Sequence, residues 1–156
     1  MLSKVKDVCF REKYSYDLFK DLPNVRCASD IVFSMDTLDI NITKRKRVII
    51  SIISPEYKLN TEYKEQYENV MLQIIQMFME KEYEVMLMSF CKMEHDEEEI
   101  QNILNKMDEE QRKKIEKYYY NGNIEEAMKV LADSQVIVGG RFHANILGLL
   151  LGKSII

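Results

Sequence analysis

Residues 135–156, QVIVGGRFHANILGLLLGKSII, decide the fold class of this chain. They predict, in order, a buried strand at Gln135–Val138, a turn at Gly139-Gly140, a helix over about His143–Leu151 and a strand from Lys153 to Ile156. A strand that passes directly into a helix and then into another strand is typical of a right-handed crossover between parallel strands. The segment therefore favours an α/β domain over an all-helical or all-β one.

The same alternation extends upstream. Arg47–Ile53 (RVIISII) and Glu84–Phe90 (EVMLMSF) are apolar without alternating, which suits strands buried on both faces of a sheet. Between them, about Glu62 to Lys81, the apolar residues follow helical spacing. We predict a Rossmann-like three-layer α/β domain with a parallel sheet from about Arg45 onwards.

Three capping boxes mark further helix starts. They pair Asp96 with Glu99, Asp108 with Gln111 and Asn123 with Glu126. The first predicts a helix carrying Ile100, Ile103, Leu104 and Met107, the second a helical segment towards Tyr118, and the third a helix over Ile124–Ala132.

The first forty residues read as short pieces that are too small to close a core of their own. They are a strand at Val8–Phe10, a helix at Ser15–Leu22 and extended segments at Asn24–Cys27 and Ile31–Phe33. At the other end, no helix follows the predicted last strand. We therefore expect the chain to be truncated relative to a complete domain.

Composition excludes several classes of protein. The chain has 156 residues, a net charge of −4 and 46% hydrophobic residues, which is globular and gives no general reason to expect nucleic acid as a partner. Three cysteines without a CxxC motif argue against a disulfide framework or a zinc ribbon. The longest apolar run, Ala144–Gly152, is far shorter than a membrane span, and residues 1–10 have no apolar stretch long enough for a signal peptide, so we expect neither membrane insertion nor secretion. We expect a cytoplasmic protein.

The best candidate site is Gly139-Gly140-Arg141-Phe142-His143-Ala144-Asn145, at the carboxyl end of a predicted parallel strand. Glycines and a helix N-terminus suit a bound phosphate or carboxylate, and an arginine can bind either anion in bidentate fashion. A histidine two residues later can exchange protons near neutral pH. The alternative is a tight turn, a surface arginine and a histidine that merely starts a helix. The pattern alone leaves both open.

Other candidates favour structural roles. His95 and Asp96 could form a binding loop, but the favoured interpretation is that Asp96 caps the helix and His95 faces solvent. Cys91 could be a nucleophile, but a buried thiol is the commoner outcome. Ser51 and Ser54 could bind a ligand or satisfy the turn before a proline. The two histidines lack metal-ligand spacing, so no metal is expected.

Two further patterns are weaker. The basic run Lys44–Arg47 reads as a solvated linker rather than a nucleic-acid patch, because the chain as a whole is acidic. The triplet Tyr118–Tyr120 could stack on a sugar or base, but straddling core and surface at a strand edge is the favoured interpretation.

DSQVIVGGRFHANILGLLLGKSII resembles the signature of the polysaccharide pyruvyl transferase family, in which a strand leads into an Arg-x-His motif, an apolar helix and another strand. VCFREKYSYDLFKDLPNVRCASDIVFSMD, RVIISIIS and VMLMSFCKMEHDEEEI resemble its upstream segments. The resemblance implies a B-type glycosyltransferase architecture, with residues 1–42 as the tail of an N-terminal domain and 43–156 as most of a C-terminal one.

The resemblance also implies a reaction, the transfer of pyruvate from phosphoenolpyruvate to two sugar hydroxyls as a ketal. Arg141 and His143 match the family's Arg-x-His motif and are expected to be catalytic. The implied donor-binding residues are Arg141, Gly139, Gly140, Ala144, Asn145 and Arg11.

No cofactor or metal is expected for this chemistry. The expected acceptor is a glycan or lipid-linked sugar of cell-surface polysaccharide synthesis, which would bring the protein near a membrane, and a homo-oligomer is a further expectation. The alternatives are a B-type glycosyltransferase that uses a nucleotide sugar, and an inactive fragment.

Overall fold

The computed structural model describes residues 1–35, 40–41, 45–55 and 63–156. The chain divides into two compact units, Met1–Asp36 and Thr37–Ile156. The predicted domain boundary between residues 42 and 43 lies outside the described residues, as does Glu62, the predicted start of the long helix.

The first unit is a small α/β element. It comprises a 3-10 helix (Leu2–Lys4), β1 (Val8–Phe10), α1 (Lys13–Phe19), β2 (Val25–Cys27) and a second 3-10 helix (Ile31–Ser34). β1 and β2 pair in parallel, which agrees with the predicted strand at Val8–Phe10 and the predicted extended segment at Asn24–Cys27.

Two boundaries in this unit differ from the prediction because side chains cap backbone groups. α1 starts before Ser15, since the Glu12 carboxylate accepts a hydrogen bond from the Ser15 amide at 2.8 Å. The prediction of an extended segment at Ile31–Phe33 was wrong. Asp30 accepts from the Val32 amide at 3.0 Å and starts a 3-10 turn there.

The second unit contains a five-stranded parallel sheet. Its elements are β3 (Arg47–Ser51), α2 (Lys64–Glu80), β4 (Glu84–Ser89), a 3-10 helix (Lys92–Glu94), α3 (Asp96–Asn105), α4 (Glu109–Arg112), β5 (Glu116–Tyr119), α5 (Ile124–Ala132), β6 (Val136–Gly139), α6 (Phe142–Leu150) and β7 (Ser154–Ile155). The strand order is β5-β4-β3-β6-β7, and every pair is parallel. This is the Rossmann strand order, which confirms the predicted fold class.

Helices cover both faces of this sheet, because successive strand residues point to opposite sides. Val48 and Ile50 of β3 pack in one core cluster with Ile75 of α2 and Ile100 of α3. On the opposite face, α6 packs so closely that a Cβ at Gly148 would lie 2.8 Å from Ile137 Cδ1. The result is three layers, in which the parallel sheet lies between two layers of helices.

β5 was not predicted. A helix was expected to continue towards Tyr118, but α4 ends at Arg112 and the chain forms a strand from Glu116. The Asp108 cap itself is confirmed, since its Oδ1 accepts from the Gln111 amide at 2.8 Å. β5 pairs only with β4 and is exposed in its first half, so it lacks the apolar run that marked the buried strands.

The basic run before β3 is not simply a solvated linker. Arg47 is buried, and its guanidinium contacts Asp133, Glu84 and Glu116 at 2.7–3.1 Å. Lys44 lies outside the described residues. Arg47 thus ties together the amino ends of neighbouring strands, at the edge of the sheet opposite to the candidate site.

Candidate functional site

The candidate site lies at the carboxyl edge of the sheet, where the strand order reverses. β4 and β5 follow β3 on one side, and β6 and β7 lie on the other. Ser51, which ends β3, is the register partner of Gly139, which ends β6. In open α/β sheets, a crevice at this switch point is the usual place for a ligand. The fold therefore puts the predicted GGRFHAN segment where ligands bind in related architectures.

The turn after β6 requires glycine for packing. The Gly140 amide donates to the Ser51 carbonyl at 3.1 Å, and a Cβ at Gly140 would lie 2.3 Å from that same oxygen. A Cβ at Gly139 would instead meet the side chain of Asn145, whose Nδ2 donates to the Gly139 carbonyl at 3.3 Å. Packing against Ser51 therefore requires glycine at position 140, and a ligand contact by either glycine stays a prediction.

We expect Gly140→Ala to destabilise the second unit by about 1–3 kcal/mol, because overpacking against a backbone oxygen forces the strand ends apart. Gly139→Ala should cost less, since the Asn145 side chain can rotate away. Urea unfolding of the two variants tests this. Equal midpoints for Gly140→Ala and the wild type would show that the turn has room to yield.

Arg141 is held by two carboxylates that come from a different loop. Its Nε donates to Asp96 Oδ2 at 2.9 Å, its Nη2 donates to Asp96 Oδ1, and its Nη1 donates to Glu94 Oε2. The Asp96 side chain is fully buried, while the side chains of Arg141 and Glu94 are 14% and 23% exposed. Burial alone would lower the pKa of Arg141, but the two carboxylates reverse this and raise it. Arg141 is therefore not a plain surface charge.

The interpretation of Asp96 as a helix cap was wrong. Asp96 is the first residue of α3, and its Oδ2 also accepts from the Cys91 amide at 3.0 Å. His95 precedes the helix in a left-handed conformation, with φ of 61°, and is exposed as predicted. The Asp96 carboxylate thus accepts hydrogen bonds from the β4–α3 loop and from Arg141, and not from the backbone amides in the first turn of α3.

His143 lies in the first turn of α6 and is exposed. Its ring meets the half-exposed ring of Phe142 edge to face, with centroids 5.5 Å apart. Ala144 is buried and Asn145 is half-buried. Asn145 Oδ1 has no hydrogen-bond partner among the described residues. His143, which is expected to be catalytic, is thus open to a substrate, as is Gly140 among the predicted donor-binding residues.

Sequence reasoning missed Tyr67 of α2. The Ile53 amide donates to the Tyr67 hydroxyl at 3.1 Å, just beyond the end of β3. Burial, assisted by the nearby charges of Glu99 and Asp96, raises the pKa of Tyr67 to about 12. Tyr67 was predicted only as part of the apolar stripe of its helix, and nothing in that spacing marks its hydroxyl.

Glu99 is a second buried carboxyl group near Tyr67. It is 2% exposed, and Asn102 Nδ2 donates to its Oε2 at 3.2 Å. Burial chiefly, and then the neighbouring carboxylate of Glu68, raises the pKa of Glu99. Glu68 in turn contacts Lys106 Nζ at 2.5 Å. The buried Glu68 of α2 thus contacts the residue that follows α3, and its carboxylate lies near that of Glu99.

This raised pKa predicts a pH dependence of stability. The folded protein holds the Glu99 proton more tightly than the unfolded chain, so the wild type should lose stability as pH rises above the ordinary value of 4.5. Glu99→Gln should therefore gain stability relative to the wild type between pH 4 and pH 8. Urea unfolding across this range measures the effect.

Glu98→Gln is the matched control. Glu98 is exposed, and hydrogen bonds from its own backbone amide and His95 lower the pKa of its carboxyl, so the pH trend should be weak and of opposite sign. A pH-independent difference between Glu99→Gln and the wild type would contradict the assignment.

The other predicted residues are Arg11, Ser51, Ser54 and Cys91. Arg11 follows β1 in the first unit, and its Nη1 pairs with Asp30 Oδ2 at 2.6 Å. Ser51 and Ser54 are buried, and Cys91 is half-buried. A role for Arg11 in donor binding stays a prediction.

A comparison with family models agrees with the resemblance seen in the sequence. A model described as Polysaccharide pyruvyl transferase matches residues 1–156, the whole chain. The chain belongs to the polysaccharide pyruvyl transferase family. Polysaccharide pyruvyl transferases are transferases, and the predicted Arg-x-His motif falls at the switch point of the sheet. No curated protein matches the chain.

In this member of the polysaccharide pyruvyl transferase family, the described residues contain neither a membrane-spanning helix nor a metal-binding cluster. None of their helices has the length and apolar character needed to cross a bilayer. Among them, no three His, Cys, Asp or Glu side chains form a group that could hold a metal ion.

Proposed function

We propose that this chain carries the donor site of a transferase that moves a pyruvyl group from phosphoenolpyruvate to two hydroxyls of a sugar. One observation carries the proposal. An exposed histidine, His143, lies two residues from a fixed arginine, Arg141, at the helix start that follows the switch point. A proton donor beside a cation is what an anionic enol phosphate needs.

The reaction divides into two halves. In the first, a proton adds to C3 of the enol, an oxocarbenium-like centre develops at C2 with the phosphate oxygen still attached, and one sugar hydroxyl forms a C–O bond to C2 and gives up its proton. In the second, the C2–O bond to phosphate breaks, and the other sugar hydroxyl forms its C–O bond to C2 and gives up its proton. One of these protons replaces the one taken up at C3, and the other ends on the released inorganic phosphate.

The residues divide the work accordingly. His143 acts as the general acid or base, because its exposed ring can reach a substrate and exchange a proton. Arg141 and the positive end of α6 offset the charge of the donor's phosphate or carboxylate. Gly139, Gly140, Ala144 and Asn145 shape this edge, and Arg11 is a further candidate for the donor's second anionic group.

The wider setting follows from the chemistry. The acceptor is a glycan or a lipid-linked sugar of cell-surface polysaccharide synthesis, modified in the cytoplasm close to the membrane. Protonation of an enol and displacement of phosphate need no cofactor from the protein. We also propose that the chain associates with further copies of itself.

The test is an amide NMR titration of this 156-residue chain with phosphoenolpyruvate and, separately, with a nucleoside diphosphate. We expect phosphoenolpyruvate to shift the amides of residues 139–145 in a saturable way, and inorganic phosphate to appear when a sugar acceptor is added. A response at these amides to the nucleoside diphosphate alone would favour a nucleotide-sugar glycosyltransferase. No response to either would overturn the donor site.

A further inference from the structure

Arg141 is held at the candidate site in an unusual electrostatic setting. One guanidinium faces two carboxylates, so the three side chains together carry a net charge of −1. An anionic donor that approaches Arg141 must overcome this negative charge. The structure thus raises the question of which carboxylate supports anion binding and which opposes it.

The two carboxylates hold Arg141 differently. Asp96 is fully buried and accepts from both Nε and Nη2, in the side-on geometry that fixes the plane of a guanidinium. The Cys91 amide fixes the Asp96 carboxylate in turn, at 3.0 Å. Because every part of this arrangement is buried or anchored, Asp96 sets where the guanidinium points.

Glu94 accepts one hydrogen bond from Arg141, that from Nη1, whereas Asp96 accepts two, and Glu94 is the more exposed of the two carboxylates. It belongs to a one-turn 3-10 helix rather than to a long element. Its carboxylate takes the same kind of position on Nη1 that an oxygen of a phosphate or carboxylate ligand would take. A ligand that replaces Glu94 on Arg141 therefore breaks one hydrogen bond to a carboxylate that is 23% exposed, whereas replacing Asp96 would break two hydrogen bonds to a fully buried one.

We propose that Asp96 is the positioning residue for Arg141, and that Glu94 competes with the anionic donor for Nη1 and is displaced when the donor binds. The inference rests on the proposed function only for the identity of that donor. It assigns to Glu94 a task that the sequence pattern does not indicate, which is to weaken the binding of anions at this edge.

The positioning role is tested without any substrate, by the arginine Nε–Hε NMR spectrum of the chain. Arg141→Lys identifies the Arg141 signal. We expect this signal to exchange slowly with water in the wild type and in Glu94→Gln, and to be lost to fast exchange in Asp96→Asn. A fast-exchanging wild-type signal, or one unchanged in Asp96→Asn, would overturn the positioning role.

The chain offers a matched control for this measurement. Arg26 and Asp7 form the same side-on pair, with Nε at 3.0 Å from Oδ1 and Nη2 at 3.0 Å from Oδ2, but both side chains are more than half exposed. Asp7→Asn should leave the Arg141 signal unchanged. The Arg26 signal should exchange faster than that of Arg141 in the wild type and in Glu94→Gln.

The competing role is tested by titrating inorganic phosphate and phosphoenolpyruvate into the wild type, Glu94→Gln and Asp96→Asn. Removing the competing charge should tighten binding of both anions by about tenfold in Glu94→Gln, which corresponds to ~1.4 kcal/mol. Asp96→Asn should weaken binding, because the guanidinium is no longer fixed. Equal affinities in Glu94→Gln and the wild type, or no response to phosphate in any variant, would overturn the competition.

The outcomes separate this inference from the proposed function. If phosphate binding responds to Glu94→Gln as expected but phosphoenolpyruvate binds no better than phosphate and yields no product, the proposed function fails and the competition stands. If phosphoenolpyruvate binds and reacts but Glu94→Gln leaves its affinity unchanged, the proposed function stands and the competition fails.

Discussion

Replacement of His143 by glutamine is expected to slow pyruvyl transfer by about 10²–10⁴-fold, the usual contribution of a general acid or base. Glutamine keeps a polar side chain of similar reach but cannot donate a proton to the enol carbon. Because His143 is exposed, the substitution should leave the fold and the affinity for phosphoenolpyruvate nearly unchanged. The measurement is the rate of phosphate release from phosphoenolpyruvate in the presence of a sugar acceptor, together with the amide titration.

The second histidine of the chain is a suitable control for this experiment. His95 is also exposed and lies on the neighbouring loop at the same edge of the sheet. His95→Asn keeps a residue that tolerates its left-handed backbone and should keep the wild-type rate. A His143→Gln variant as fast as the wild type would remove the acid–base role. An equal loss in both variants would point to a disturbed loop instead.

Replacement of Arg141 by methionine is expected to destabilise the second unit by about 3–5 kcal/mol, the usual cost of removing one partner of a buried ion pair. The reason is Asp96, whose carboxylate is fully buried and would lose both hydrogen bonds from the guanidinium. If Arg141 were only a ligand for a substrate anion, its removal would leave stability unchanged. Urea unfolding without substrate distinguishes the two cases.

A second substitution checks the cause. Asp96→Asn in the Arg141→Met background should recover much of the lost stability, because the neutral amide no longer leaves a charge buried. Arg26→Met removes the equivalent cation from the exposed pair with Asp7 and should change stability little. Additive effects of the Arg141 and Asp96 substitutions would show that their contact is energetically unimportant.

Arg141 is thus expected both to stabilise the fold and to bind the anionic donor. A guanidinium that is needed to neutralise a buried aspartate is also one that cannot swing away, which suits a residue meant to meet an anion in a fixed place. A loss of donor affinity in Arg141→Met must therefore be compared with its loss of stability. The conservative Arg141→Lys keeps the charge but not the side-on contact, and separates the two contributions.

Much of the fold could be predicted from local sequence. The unbroken apolar runs at Arg47–Ile53 and Glu84–Phe90 became β3 and β4, and α5 spans Ile124–Ala132 as predicted. The Asn123 cap is also confirmed, since its Oδ1 accepts from the Glu126 amide at 3.1 Å. Such features depend on residues a few positions apart, so a single sequence contains the information they need.

The features that failed depend on contacts that are distant in sequence. β5 is a strand because its backbone pairs with β4, although Glu116 and Lys117 are polar and exposed. Asp96 has the residue type and position of a helix cap, yet its carboxylate turns to a partner 45 residues away. The local sequence pattern indicates neither the strand β5 nor the contact between Asp96 and Arg141.

The sequence by itself thus determined the alternation of strands and helices, the parallel sheet, the family and the segment that holds His143 and Arg141 at a strand end. Only the tertiary structure decided what Arg141 meets. β4 and β6 both flank β3, so the loops that follow them are two strand spacings apart, about 10 Å, a span that a long arginine side chain can bridge. The strand order, and not the sequence around Arg141, therefore brings Asp96 and Glu94 close to it. The buried Asp96 carboxylate needs a cationic partner, and Arg141 is the cation that this strand order places beside it.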